Sequence, residues 1–92
     1  MDRVALVITG SVQGVGFRWY LQRAGRALGL TGAVRNRADG AVVVEAEGPC
    51  GALEQLVEAA RHGPAGAAVT HVDVRWDAGP ARFPDFRIDR DP

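Results

Sequence analysis

Two kinds of hydrophobic pattern alternate along the chain, and together they predict strands and helices. Residues 4–8 are apolar and largely β-branched, which indicates a buried strand. Apolar side chains at positions 17, 20, 21, 24 and 28 follow the spacing of one helix face, and a second stripe at 53, 56, 57 and 60 follows Pro49. Between them, residues 31–36 and 41–47 alternate as two strands joined by the Asp39-Gly40 hairpin turn.

The remaining apolar positions complete the order of elements. Residues 69–76 predict a fourth strand, and Phe83, Phe86 and Ile88 predict a short last one. The order is that of a split βαβ, or ferredoxin-like, α+β sandwich. We therefore expect a single domain over residues 1–92, in which two helices cover one face of an antiparallel sheet. The strands around Val7 and Val43 are the most apolar, so we expect them at its centre.

Composition narrows the function classes. All eleven cationic side chains are arginine, and eleven acidic residues bring the formal net charge to zero. The lack of lysine excludes Schiff-base chemistry and a Walker-type phosphate loop. Zero net charge argues against broad binding to nucleic acids or membrane surfaces. With one cysteine, no apolar run of membrane-spanning length and no signal peptide, a cytoplasmic protein is expected.

The strongest chemical signal lies between the first strand and the first helix. Gly10, Gly14 and Gly16 allow a tight turn that presents successive backbone N–H groups, and the helix start adds its own. Arg18, in the first helical turn, can bind two oxygens of the same anion. This pattern predicts a phosphate cradle. The alternative is a glycine turn that only joins strand to helix, with Arg18 in solvent.

A few other polar residues are candidates with competing interpretations. Asn36 ends the second strand, where it is either a turn former or an amide that orients a water. Trp19 is a candidate for the entrance of the site. Glu45 and Glu47 share one strand face, which we interpret as solvated rather than as an acid–base pair. Cys50 stands near a helix start, a position that lowers a thiol pKa, although an incidental small residue is the simpler interpretation.

At these residues the chain closely resembles the acylphosphatases, and the likeness covers essentially its whole length. The stretch GSVQGVGFR at residues 10–18 is similar to the first signature of that family at every defining position. Residues 32–36, followed by Asp39, Gly40, Val42 and Gly48, resemble the second. Ala33 departs from the pattern, because the family usually has an aromatic residue there. The departure bears on local packing or substrate fit rather than on the chemistry.

The resemblance implies a metal-free and cofactor-free hydrolase that converts an acyl phosphate into a carboxylate and inorganic phosphate. It assigns water positioning to Asn36 and phosphate binding to one loop. The phosphate-binding residues are Gln13, Gly14, Val15, Gly16, Phe17 and Arg18, through the loop backbone and the Arg18 side chain. The expected partners are the small acyl phosphate and inorganic phosphate, as product or competitive inhibitor. We expect a monomer without a nucleic-acid or membrane partner.

Three alternatives stay open at the level of sequence. The first is a regulatory module that binds an anion without hydrolysing it. The second is a nucleic-acid-binding ferredoxin-like domain, which would need aromatic side chains on the central strands that this chain lacks. The third is a domain acting on carbamoyl phosphate within a larger maturation pathway; the end of the chain at Pro92 favours a free-standing enzyme instead.

Overall fold

The computed structural model describes residues 1–89, which form one five-stranded sheet and two helices. The strands are β1 (Asp2–Ser11), β2 (Thr31–Asn36), β3 (Val42–Gly48), β4 (Ala68–Ala78) and β5 (Phe86–Ile88), and the helices are α1 (Phe17–Ala27) and α2 (Cys50–His62). The predicted ferredoxin-like order is thus confirmed. The last three residues of the predicted domain lie outside the described residues. Neither helix in residues 1–89 is long and apolar enough to span a membrane.

The strands lie in the order β4-β1-β3-β2-β5. The two most apolar strands are central, as predicted, and Val7 of β1 lies directly opposite Val43 of β3. Four strands pair antiparallel, as predicted. The short extra strand β5 pairs parallel to β2, so the sheet as a whole is mixed. The parallel pairing of β5 results from the path of segment 79–85. It crosses the end of the sheet where β4 finishes and β2 begins, so β5 starts beside the start of β2.

The first strand continues further than the sequence predicted. Gly10 was taken as the start of the glycine-rich turn, whereas the structure keeps Gly10 and Ser11 paired with β4 after a register shift between Thr9 and Gly10. Such a bulge bends a strand without ending it. The loop that joins β1 to α1 therefore begins at Val12.

The core lies between the helices and one face of the sheet, and it follows the predicted alternation. Residues with completely buried side chains come from every second position of the two central strands and from the inner stripes of the helices. They include Val4, Leu6, Ile8, Val42, Val44, Ala46, Leu21, Leu53 and Leu56. Phe17 at the start of α1 and Phe86 in β5 close its two ends.

One prediction about the other face of the sheet is wrong. Glu47 was expected on a solvated face, but its side chain is buried. Its carboxylate accepts hydrogen bonds from the backbone N–H groups of Arg82 and Phe83 at 2.9–3.0 Å, and it lies 3.7 Å from Nε of the buried Arg3. The alternation placed Glu47 on the correct face. It could not show that segment 79–85 covers that part of the face.

Gly25 is required by a close contact in the middle of α1. A Cβ at this position would overlap the ring of Phe86, which the core holds in place. We therefore expect Gly25→Ala to lower the free energy of unfolding by about 1–3 kcal/mol through overpacking, although alanine is the better helix former. Equilibrium urea unfolding measures the difference.

Gly51→Ala is the matched control, because Gly51 is also helical and a Cβ there meets no atom within 4 Å. We expect this variant to be neutral or more stable by up to about 1 kcal/mol. Equal changes in stability for the two variants would contradict the assigned role of the Phe86 contact.

Candidate active site

The loop from β1 to α1 owes its shape to two glycines. Gly14 and Gly16 have φ values of 78° and 76°, in the left-handed region that other residues rarely adopt. A Cβ on either residue would meet no atom within 4 Å, so backbone conformation and not space requires glycine here. Left-handed residues in a short loop curl the backbone so that successive N–H groups converge, which is the geometry of an anion site.

The N–H groups of this loop are available for a ligand. Within residues 1–89, those of residues 13–18 donate to no backbone carbonyl. The N-cap residue of α1, Gly16, makes no side-chain capping bond, and the first turn of the helix contains no acidic residue. The positive end of the helix dipole is therefore not neutralised by a carboxylate in that turn, and it favours a bound anion.

The side chain of Gln13 ties this loop to the turn between β2 and β3. Its amide Nε2 donates to the carbonyl oxygens of Arg37 at 2.8 Å and Ala41 at 3.0 Å. Sequence reasoning gave Gln13 a backbone role only and missed this contact, because both partners lie more than twenty residues away. The two bonds hold the loop against the end of β2, where Asn36 stands.

The β2–β3 turn, to which Gln13 donates, is itself stabilised by hydrogen bonds to the Asp39 carboxylate. Arg37 donates to the Asp39 carboxylate through Nε at 2.9 Å and through Nη2 at 2.6 Å, and the Ala41 N–H donates to the same carboxylate at 3.2 Å. The bond from Arg37 and then that from Ala41 lower the pKa of Asp39 to about 2. The carboxylate therefore stabilises the turn at neutral pH, and this contribution is lost only as the pH falls towards 2.

The structure brings Arg18 and Asn36 into one cavity. Asn36 lies on the same face of β2 as the buried Val34, so it points to the helix side. Arg18 is the second residue of α1, next to Phe17, whose burial in the core fixes the start of the helix. The cavity has a volume of about 170 Å³. Its lining residues are Val12, Gly14, Gly16, Phe17, Arg18, Trp19, Asn36 and Ile88.

Two loop residues of the predicted set do not line this cavity. Gln13 directs its side chain to the β2–β3 turn, and Val15 lines a neighbouring groove. Trp19 stands at the edge of the cavity with a largely exposed ring, at the position expected for an entrance residue. The backbone roles of residues 13–18 stay predictions.

Ala33 lies away from the cavity, on the opposite face of β2. It shares a small surface cavity with Val43 and Phe83, so an aromatic ring from segment 79–85 lies beside the position that the family usually fills with an aromatic residue. The departure at Ala33 therefore affects the packing of the outer sheet face and does not reach the lining of the Arg18 cavity.

The surroundings of Cys50 distinguish between its two interpretations, a thiol with a lowered pKa and an incidental small residue. Desolvation, and then the carboxylate of Glu54 with Oε1 3.6 Å from Sγ, raise the pKa of the exposed thiol. The raised pKa agrees with the simpler interpretation of Cys50 as an incidental small residue, and not with a thiol activated by the helix start, because a carboxylate one turn along the helix opposes the thiolate. Cys50 also lies outside the cavity of Arg18 and Asn36.

Comparison with known proteins gives a consistent result. The model of the acylphosphatase family matches residues 4–88. The acylphosphatase of Salinibacter ruber is 52% identical over 88 residues, which cover 96% of this chain and 93% of that protein. The crystal structure of the acylphosphatase from Bacillus subtilis superposes with a TM-score of 0.93 at 37% identity, over 97% of this chain and 99% of that one. The acylphosphatase structure from Coxiella burnetii gives 0.89 at 31% identity, over 96% and 93% of the two chains. The resemblance seen in the two signatures is thereby confirmed, and the chain belongs to the acylphosphatase family.

Proposed function

We propose that the protein hydrolyses the carboxyl–phosphate bond of acyl phosphates and releases a carboxylate and inorganic phosphate. The observation that carries the proposal is one cavity lined by Arg18 from α1, Asn36 from β2 and two glycines of the loop that joins β1 to α1. This loop is here called the anion loop. Membership of the acylphosphatase family supports the same reaction. In this assignment, Arg18 and the backbone N–H groups of residues 13–18 hold the phosphate, and Asn36 positions the water.

The chemistry of an acyl phosphate explains why so few groups suffice. Its leaving group is a carboxylate, whose conjugate acid has a pKa of about 4, so it departs at neutral pH without being protonated. No general acid is needed. What the protein has to supply is a water in line with the breaking bond and positive charge around the equatorial oxygens.

Arg18 and the loop supply that charge in complementary ways. The guanidinium of Arg18 is planar and binds two phosphate oxygens at once. The N–H groups of the loop are held by the backbone, so they need not reorganise as charge develops in the transition state. A cavity of about 170 Å³ has room for a phosphate group and one water.

Asn36 positions the water but does not deprotonate it, because an amide is not a base at neutral pH. Among the described residues that line the cavity, Arg18 alone has an ionisable side chain, and a guanidinium donates hydrogen bonds but accepts none. We assign the proton to a non-bridging oxygen of the substrate phosphate. The water oxygen then bonds to phosphorus while the bond to the acyl oxygen breaks, and the electron pair leaves with the carboxylate.

Replacing Arg18 tests the charge that the site supplies. We expect Arg18→Ala and Arg18→Lys each to reduce kcat/KM by about 100-fold or more, corresponding to about 3 kcal/mol of transition-state stabilisation. Lysine keeps the charge but cannot bind two oxygens in one plane. Release of phosphate from benzoyl phosphate measures the loss, and activity near that of the wild type in the alanine variant would refute the assignment.

Replacing Asn36 separates catalysis from binding. We expect Asn36→Ala to lower kcat by about 100-fold, since the water loses its orienting group, while the dissociation constant of inorganic phosphate changes by less than about threefold. Calorimetric titration with phosphate and benzoyl phosphate hydrolysis measure the two quantities. If the wild type binds phosphate but hydrolyses no acyl phosphate, the protein is the non-catalytic anion module.

Gln13→Leu tests whether the loop must be tied to the β2–β3 turn. We expect weaker phosphate binding and a kcat lowered by about tenfold, because the loop and Asn36 lose their common anchor. Gln22→Leu is the matched control: it also removes a side-chain amide bond to a carbonyl, that of Phe86 at 3.1 Å, but away from the cavity. Equal losses of activity in the two variants would show that only general stability is affected.

Metal independence follows from the proposed division of roles. We expect excess EDTA to leave kcat and KM unchanged, since arginine and backbone N–H groups provide the positive charge. Assays before and after dialysis against the chelator check this, and inactivation that added Mg²⁺ restores would contradict it. Competitive inhibition by inorganic phosphate, the monomeric state and the cytoplasmic location also stay predictions.

A further inference from the structure

A groove larger than the cavity of Arg18 and Asn36 begins at the edge of that cavity, which is here called the phosphate cavity. The two share Gly16 and Trp19 in their linings. The groove runs between α1 and the loop that precedes β4, and its volume of about 720 Å³ lies within the range of small-molecule sites. Val15, Tyr20 and Pro64 are among the apolar residues of its wall.

Trp19 forms the boundary between the cavity and the groove. Its side chain is 58% exposed, which is unusual for an indole. The guanidinium of Arg23, the only charged side chain in the groove lining within the described part of the chain, lies 4.6 Å from the centre of the Trp19 ring. This cation–π contact orients the ring, so a flat apolar surface is held at the exit of the phosphate cavity.

We infer that this groove, here called the acyl groove, binds the acyl group of the substrate, an inference that rests on the proposed function. In an in-line displacement the leaving carboxylate departs on the side of phosphorus opposite to the water. Asn36 lines the phosphate cavity but not the acyl groove. A water held by Asn36 therefore directs the leaving group away from Asn36, and the groove opens beyond Gly16 and Trp19.

The lining defines the class of acyl group. The hydroxyl of Tyr20 already donates to the carbonyl of Ala59 at 2.9 Å, so Tyr20 offers its ring and not a donor. The remaining wall is mainly carbon, and the Arg23 guanidinium, its one charged group among the described residues, lies over the Trp19 ring. Recognition thus rests on apolar contact, and the acyl groove favours aromatic or branched aliphatic acyl phosphates over small ones such as acetyl phosphate.

Kinetics with two substrates test the assignment of Trp19. We expect the ratio of kcat/KM for benzoyl phosphate to that for acetyl phosphate to fall about tenfold in Trp19→Ala, mainly through KM, and to recover largely in Trp19→Phe. Trp76→Ala is the matched control, because Trp76 is also exposed, at 48%, but lies on β4 and lines neither the cavity nor the groove. An unchanged ratio in Trp19→Ala would overturn the proposal.

Binding of two phosphonates distinguishes this proposal from the proposed reaction. Benzylphosphonate and methylphosphonate share the anionic end and differ in the apolar group, and calorimetry measures both without turnover. We expect benzylphosphonate to bind the wild type about tenfold more tightly, and Trp19→Ala to lose this preference. If the preference is present but no acyl phosphate is hydrolysed, the proposed function fails, and the groove is a site for an apolar group next to a bound anion but not for a substrate acyl group. If hydrolysis occurs but Trp19→Ala keeps the preference, the acyl groove alone is refuted.

Discussion

The two hydrogen bonds from the Gln13 side chain are the constraint on which the site depends. They join the anion loop to the carbonyl oxygens of Arg37 and Ala41, in the turn that follows Asn36. Among the described residues they are the polar side-chain contacts that join this loop to the end of β2. Asp39 adds hydrogen bonds within the same turn, from the Arg37 side chain and the Ala41 N–H. Catalysis by positioning requires this kind of preorganisation.

The far end of the sheet contributes to the same cavity through a different contact. The buried carboxylate of Glu47 binds two consecutive backbone N–H groups of segment 79–85. This segment leads into β5, which lies parallel to β2 and places Ile88 in the cavity wall. A side chain that sequence reasoning took for a solvated one therefore helps to enclose the site, although it lies far from the phosphate loop.

The charge composition acquires a structural meaning in this arrangement. The net charge is zero and every cation is an arginine, so the positive potential that a phosphate needs has to be local. It is concentrated where Arg18 and the start of α1, whose first turn contains no acidic residue, meet the loop. A small anion that carries a good leaving group fits such a site, since it needs neither an extended basic surface nor a proton donor.

The sequence by itself determined the order of the elements, the buried faces, the place of Arg18 in the first helical turn and the side of β2 on which Asn36 lies. These features are local: hydrophobic periods, glycines and a hairpin turn report the geometry of neighbouring residues. Only the tertiary structure decided the Gln13 anchor, the burial of Glu47, the parallel β5 and the groove beside Trp19. Most of these depend on segments that are distant in sequence, 36 residues apart for Glu47 and Phe83 and 54 for the paired Gly32 and Phe86, and on which face each segment covers. No periodic pattern encodes such contacts, because they arise only when the core packs.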